Sequence, residues 1–377
     1  MIKKCPVCSS KNLKLIFKHN GIPKYNLNYQ KNKNKSLNSK KVKVNFVLCK
    51  KCEFVFNSKY KNLNYKVAYD AKRSFSAAFQ RYLNSIAKEI YNKTKTVNNI
   101  VEVGAGDCEF AKSYIKCFKK KIKYSAYDVS WSVNQKKIKN IEINYLNNIN
   151  KIPNYYDYNK KSKPELLVLR HVLEHQSKVR EFVNTIIFEK PKYFFIEIPC
   201  WEFVKKNNFH YFSNEHCSYF SKKNLEFFMS SFGYKKNFIK YTFNKEYIIS
   251  LWQIQKKLKK IRLQNRANYN FKFNSWRKKI NKKLSNTIMW GAGGKGVMLL
   301  NMLNFKKKNM NFIIDSNPNL NNKYVPGTDI KIFSPKEVLK IKTIRTISVI
   351  NPLYYDEIKK QIRFFKKKNI NIKSIFS

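Results

Sequence analysis

Long apolar runs are missing from this chain. Nowhere do its 377 residues hold the roughly 18 consecutive apolar residues that a membrane-spanning helix needs. The opening "MIKKCPVC" also lacks the apolar stretch of a secretory signal. A cytoplasmic protein without a membrane partner is therefore expected, and in that compartment its eight cysteines are not expected to pair as disulfides. Acidic residues are scarce too: 23 Asp and Glu stand against 78 Lys and Arg, a net charge of +55. Taken alone, that balance suggests a nucleic acid or an anionic surface as partner. The lysines, however, are spread along the chain among asparagine and isoleucine, as in "NYQKNKNKSLNSKKVKVN". We read them as a solvated surface, with nucleic acid an unlikely partner, although the charge would favour phosphate-bearing substrates. Disorder is excluded by 43% hydrophobic residues, and the length implies two or three domains.

Four cysteines carry a pattern. Cys5 and Cys8 in "CPVC" and Cys49 and Cys52 in "CKKC" form two C-x-x-C knuckles. Each turn aims two thiolates at one point, and two such pairs complete a tetrahedral zinc site with no open position, hence a structural one. Cys108, Cys117, Cys200 and Cys217 stand alone and read as small buried residues.

Next, "SFSAAFQRYLNSIAKEI" places Phe75, Phe79, Tyr82, Leu83, Ile86 and Ile90 on one face at helical spacing. In "NNIVEVGAGDCEFAKSYI" a strand over 100–103 runs into Gly104, Gly106 and Asp107 and then a helix, the first turn of a nucleotide-binding βα unit. The next strand, "IKYSAYD", ends at Asp128, where an acid would accept hydrogen bonds from two ribose hydroxyls. Strand-like "ELLVLRHVLEH" and "KYFFIEIP" flank an amphipathic helix with Val179, Phe182, Val183, Ile186 and Ile187 inward. This alternation predicts a parallel doubly wound sheet, with an antiparallel edge hairpin over 234–241 and 246–254.

Between them lies "FHYFSNEHCSYFS", residues 209–221, where Glu215 and His216 sit among aromatic rings. The pair reads either as a hydrogen-bonded kink before a helix capped by Ser221, with Leu225, Phe228, Met229 and Phe232 buried, or as a working base. Residues 255–285 are basic, with a ragged apolar stripe, and read as a mostly solvated helical connector. Tyr269, Phe271, Phe273 and Trp276 would alternatively suit RNA. A second glycine loop, Gly291-x-Gly293-x-x-Gly296, follows a strand and opens a helix, with Asp315 about 19 residues on. By spacing it is the better dinucleotide fingerprint of the two, and Lys295 within it would meet a diphosphate; packing without any ligand is the alternative.

Together "CPVC…CKKC", "EVGAGD", "RHVLEH", "NEHCSYFS", "GAGGKG", "IDSNPNLNNKYVPGTDIKI" and "INPLYYDEI" resemble, in order, the sugar C-methyltransferases, class I S-adenosylmethionine-dependent enzymes acting on nucleotide-linked deoxy-keto-sugars. The resemblance implies an α/β protein of four parts. These are a zinc module (1–60), a central Rossmann-like methyltransferase sheet (61–255), a basic helical connector (256–285) and a C-terminal Rossmann-like half-domain that binds substrate (286–377). It implies S-adenosylmethionine held by Glu102, Gly104, Gly106, Asp128 and His171, and zinc on the four cysteines. His216 would be the base that forms an enolate, with Glu215 orienting it and Tyr69 in the active site; Glu174 and His175 would serve on the cofactor side. Gly291, Lys295, Asp315 and Tyr211 would contact a small-molecule nucleotide-sugar. The family's Tyr-His before Glu-His is replaced by Ser213 and Asn214, and a usual glycine by Cys108. The rival readings are an RNA-directed or other small-molecule methyltransferase, and an NAD-binding nucleotide-sugar enzyme without methyl transfer.

Overall fold

The computed structural model describes residues 2–63, 73, 75–118, 122–128, 142–145, 163–206, 208–255, 269, 271–303, 312–338, 341, 344–364 and 370–376. Tyr69 and the first half of the basic connector lie outside these residues.

Strands β1 (Leu13–Pro23), β2 (Lys41–Cys49) and β3 (Val55–Asn57) form an antiparallel sheet beside the paired knuckles. Alternation in β2 buries Val42, Val44 and Phe46 on one face, as period-2 patterning requires. The central domain supplies β4 (Asn99–Val103), β5 (Lys123–Asp128), β6 (Glu142–Tyr145), β7 (Leu166–Arg170) and β8 (Tyr193–Pro199). After it comes β9 (Ser218–Tyr219), which leaves the central sheet and pairs antiparallel with β3, Val55 opposite Tyr219. The aromatic loop thus becomes the fourth strand of the N-terminal sheet. The hairpin β10 (Tyr234–Thr242) and β11 (Tyr247–Ile254) returns to the central sheet, whose order is β10-β11-β8-β7-β4-β5-β6. Its strands β6, β5, β4, β7 and β8 are parallel, and β11 is antiparallel to β8. Strand order reverses between β4 and β7, and ligands bind at the carboxyl ends of such switch points.

The C-terminal sheet contains β12 (Ile288–Trp290), β13 (Phe312–Ile314), β14 (Lys331–Phe333), β15 (Thr346–Val349) and β16 (Asn371–Ser374). All are parallel, in the order β14-β13-β12-β15-β16, with the switch point between β12 and β15. Expected and observed folds agree on the sheets and on the edge hairpin. They differ at "LRHVLEH", where the strand stops at Arg170 and Leu173–His175 turn as a 3-10 helix.

The helix Ala77–Lys93 starts at Ser76, whose hydroxyl accepts from the Phe79 N–H, and buries Phe79, Leu83, Ile86 and Ile90. Phe75, expected on that stripe, precedes the helix and is 47% exposed. The basic helix Phe273–Leu284 buries only Trp276, Ile280 and Leu284. Phe271 and Phe273 meet Phe209 edge-on, Trp276 meets it at a tilt, and Tyr269 meets Trp201 edge-on, so all four rings contribute to packing around the core that holds Phe209 and Trp201. One continuous core joins β1 and β2, the loop around Phe209 and Phe212, this helix and the helix Gly294–Leu303. The N-terminal and C-terminal parts therefore share apolar burial, worth about 25 cal/mol per Å² removed from water.

Candidate active site

The four knuckle cysteines converge as their spacing implies. Cys5 and Cys52 place Sγ atoms 3.5 Å apart, as do Cys8 and Cys49. All four Sγ atoms lie within 4.8 Å of one another, and metal–thiolate bonds of about 2.3 Å fit inside that cluster. The donor set therefore fits zinc.

At the first glycine loop, Gly104 and Gly106 are both left-handed, with φ of 76° and 51°. A side chain at Gly104 would strike Val172 at 2.3 Å, so this glycine lets the loops after β4 and β7 touch. At Gly106 a Cβ would meet nothing within 4 Å, which leaves open space at the end of β4 for a ligand to approach the backbone. Asp128, at the end of β5, accepts the Gly106 N–H at 2.8 Å, so acid and glycine form one cradle. Glu102 is buried inside the sheet and accepts from the Tyr124 hydroxyl at 2.9 Å. Burial pushes its carboxyl up to about 7, against the pull of Arg170. These residues fit a ribose-bearing cofactor at the carboxyl edge of β4 and β5. Cys108 adopts φ 57° at the helix start, a conformation that explains why glycine suits this position.

His171 is also left-handed, at φ 54°, and is held between two carboxylates. Its Nδ1 lies 3.2 Å from Glu174 and its Nε2 lies 3.4 Å from Glu197. Burial alone would lower this imidazole, but Glu197 and Glu174 outweigh it and raise it above the ordinary histidine range. Glu197 in turn receives Arg170 Nε at 2.7 Å and the Tyr82 hydroxyl at 2.8 Å. Burial opposes its charge, yet Arg170 and His171 hold the carboxyl well below the usual range.

The carboxyl ends of the central and C-terminal sheets open on one shared cavity of about 300 Å³. His171 and Pro199 line it from one side, and Gly291, Lys295, Asp315 and Asn351 from the other. Tyr211, Ser213, Glu215 and His216 line it from the aromatic loop. Among the described residues, Gly104, Gly106 and Asp128 lie outside this cavity, and His171 is the expected cofactor-side residue that borders it.

The expectation that Glu215 orients His216 is not met. The Glu215 carboxylate accepts the Asn26 N–H at 2.6 Å, from the N-terminal module. Burial pushes it up to about 7, opposed by the backbone N–H groups of Asn26 and Leu27. The carboxylate that acts on His216 is Glu174. Burial and His175 take the His216 imidazole down to about 3. Ser213, in place of the tyrosine, accepts the His216 backbone N–H at 3.0 Å and closes the turn. Asn214, in place of the histidine, is fully buried; its amide donates to Lys61 O at 3.1 Å and Lys24 O at 3.4 Å.

Lys295 is already answered: its Nζ sits 2.5 Å from Glu246 and 4.7 Å from the centre of the Tyr211 ring. Asp315 turns inward as well, accepting from Ala292 N–H at 2.6 Å and Asn317 N–H at 2.8 Å. A Cβ on Gly296 would lie 2.0 Å from Gly291 O, so the third glycine of this loop serves helix–strand packing. Sequence reasoning missed Arg73, which lines the cavity and donates to the Tyr247 hydroxyl at 2.7 Å. It missed Glu246, Tyr247 and Tyr354 as well. Of these, Tyr354 stands in "INPLYYDEI", whereas Arg73, Glu246 and Tyr247 stand in none of the quoted motifs.

Residues 70–237 match the methyltransferase domain, and residues 264–373 match the C-methyltransferase C-terminal domain. The chain thus carries a methyltransferase domain followed by a C-methyltransferase C-terminal domain. No curated protein matches it. Among solved structures, an O-methyltransferase family protein from Burkholderia thailandensis is similar at a TM-score of 0.36 and 8% identity. That likeness covers 47% of this chain and 56% of the Burkholderia chain, so less than two thirds of that protein's length is represented. Magnesium protoporphyrin IX methyltransferase (ChlM) from Synechocystis PCC 6803, solved with bound SAH, is similar at 0.36 and 8% identity over 51% of this chain and 91% of its own. The CurJ carbon methyltransferase gives the same score and identity over 47% and 55%. No helix among the described residues is long and apolar enough to cross a membrane.

Proposed function

We propose that this protein uses S-adenosylmethionine to methylate a carbon next to the carbonyl of a nucleotide-linked keto-sugar, with Glu215 as the proton acceptor. The observation that carries this reading is the shared cavity, in which Glu215 and His216 face the C-terminal glycine loop with its Lys295–Glu246 pair. Carbon becomes a nucleophile only after a proton is removed beside the carbonyl, and the base works best with a pKa near the working pH. Glu215, at about 7, meets that condition; His216, at about 3, stays neutral and suits hydrogen bonding to the acceptor's oxygen. Tyr211, Tyr247 and Tyr354 shield the site from water. Arg73 lies along the wall with Gly291 and Asp315 and would receive the phosphates of a nucleotide-sugar, while Lys295 is paired with Glu246. Glu102, Gly104, Gly106, Asp128 and His171 would hold the cofactor, which when bound supplies its methyl group as a sulfonium. Zinc on the four cysteines would be structural, and Tyr69 completes the assignment as an active-site residue of the segment before the first core helix.

The test is calorimetric titration with S-adenosylmethionine, followed by exchange of the acceptor's α-hydrogen in deuterated water without cofactor. Binding lost in Asp128→Ala and exchange lost in Glu215→Gln support the reading. Cofactor binding without exchange in any keto-sugar nucleotide would overturn the acceptor class alone.

A further inference from the structure

The described residues contain a second grouping of metal-ligating side chains, and it involves none of the cysteines. One ligand atom each from Glu174, His175 and His216 lies within 4.8 Å of the other two. From this juxtaposition we infer a second metal site in this protein, taking a divalent first-row cation such as zinc, with one coordination position open toward the cavity.

Three observations carry the inference beyond proximity. First, Glu174 is only 1% exposed; its Oε1 faces His171 Nδ1 at 3.2 Å, while its Oε2 is buried without any hydrogen-bond partner. A buried carboxylate oxygen in that condition calls for a cation or a proton. Second, His175 Nδ1 lies 2.9 Å from the Glu215 carbonyl oxygen, which can only accept. The neutral ring then carries its proton on Nδ1 and its lone pair on Nε2. A histidine donating one nitrogen to a carbonyl while the other ligates is the usual outer-shell arrangement of metal sites. Third, the grouping is preorganised. The Cys217 N–H donates to Glu174 O at 2.8 Å, fastening the loop after β7 to the aromatic loop so that all three residues are set by two strapped turns.

Two histidines and one glutamate with a vacant vertex is the donor set of catalytic rather than structural zinc. His216 borders the cavity, so a group bound there could reach a cation held by these three residues. A cation there would draw electron density from a carbonyl or hydroxyl oxygen bound in the cavity, close to Glu215. The inference stands whatever the acceptor is, because its test reads metal and not turnover.

The full-length protein is to be stripped and reloaded with zinc and, in parallel, cobalt, with metal counted per chain by mass spectrometry. Wild type is expected to hold two ions, falling to one in Glu174→Gln and in His175→Gln. The second equivalent of cobalt should add d–d absorption without new thiolate charge-transfer bands. A single ion in wild type, or a second ion retained by both variants, overturns the site. Should either variant lose its near-UV circular dichroism, the wild-type cobalt spectrum decides: no second equivalent, or one with thiolate bands, overturns it equally.

Discussion

The Glu215 carboxylate accepts a hydrogen bond of 2.6 Å from the backbone N–H of Asn26, a residue 189 positions away in the N-terminal part of the chain. The proposed base is therefore positioned by a different part of the chain from the one that carries it. Its buried surroundings hold it up to about 7, so the rate of methyl transfer should rise with pH through that region as the carboxylate forms. In Glu215→Gln, kcat/KM should fall on the order of 10²–10⁴-fold and lose that rise. A pH–rate profile of both proteins checks this, and an unchanged profile in the variant would assign the base elsewhere.

Stability should respond with a definite sign. Glu215 binds its proton more tightly folded, at about 7, than at the ordinary 4.5. The resulting contribution is fully present below about pH 4.5 and is lost as pH climbs through 7, on the order of 3 kcal/mol in all. Denaturant midpoints at pH 5.5 and 8.5 should therefore converge in Glu215→Gln relative to wild type. An equal gap in the two proteins would contradict the raised carboxyl.

Asn214 clamps the loop through Lys24 O and Lys61 O while accepting the Lys61 N–H at 3.3 Å. Asn214→Ala leaves those buried backbone groups unanswered and should cost about 1–3 kcal/mol. Asn214→His, which restores the family residue, should not recover this, because imidazole cannot both donate twice and accept. Thermal unfolding of the two variants measures it.

Cys108 sits at φ 57°. Cys108→Gly should leave stability within about 1 kcal/mol, since relief of the left-handed strain offsets the lost buried thiol. Cys108→Val should cost about 2 kcal/mol or more, because a β-branched side chain resists this conformation. Equal effects of the two substitutions would refute the conformational reading.

Gly296→Ala tests the second glycine loop. Its Cβ would need to occupy space 2.0 Å from Gly291 O, so the variant should unfold earlier with no ligand present. A normal melting curve, with weakened nucleotide-sugar binding only, would move Gly296 from packing to ligand contact.

What was legible in the sequence was local. "EVGAGD" and Asp128 announce their cradle because strand, turn and next strand are neighbours along the chain. Ser221 announces its cap, and the structure adds the reciprocal bond, from the Ser221 N–H to the Asn224 side-chain oxygen, that completes the box. What was not legible was set by distant pairings. Nothing near Glu215 says that Asn26 holds it, and nothing near His216 says that Glu174, from the loop after β7, faces it. Lys295 was expected at a diphosphate but meets Glu246, a hairpin residue with no motif around it.

Ser218 and Tyr219 close the sheet whose neighbouring turns carry Cys49 and Cys52. Were a metal held by the four cysteines, the free energy of gripping it and that of ordering the loop behind Glu215 and His216 would be one quantity, divided between two places. A cell short of zinc would not merely hold a weaker protein. Under the proposed function it would hold fewer copies able to reach their acceptor, and output would track the supply of an ion whose four cysteines lie outside the cavity.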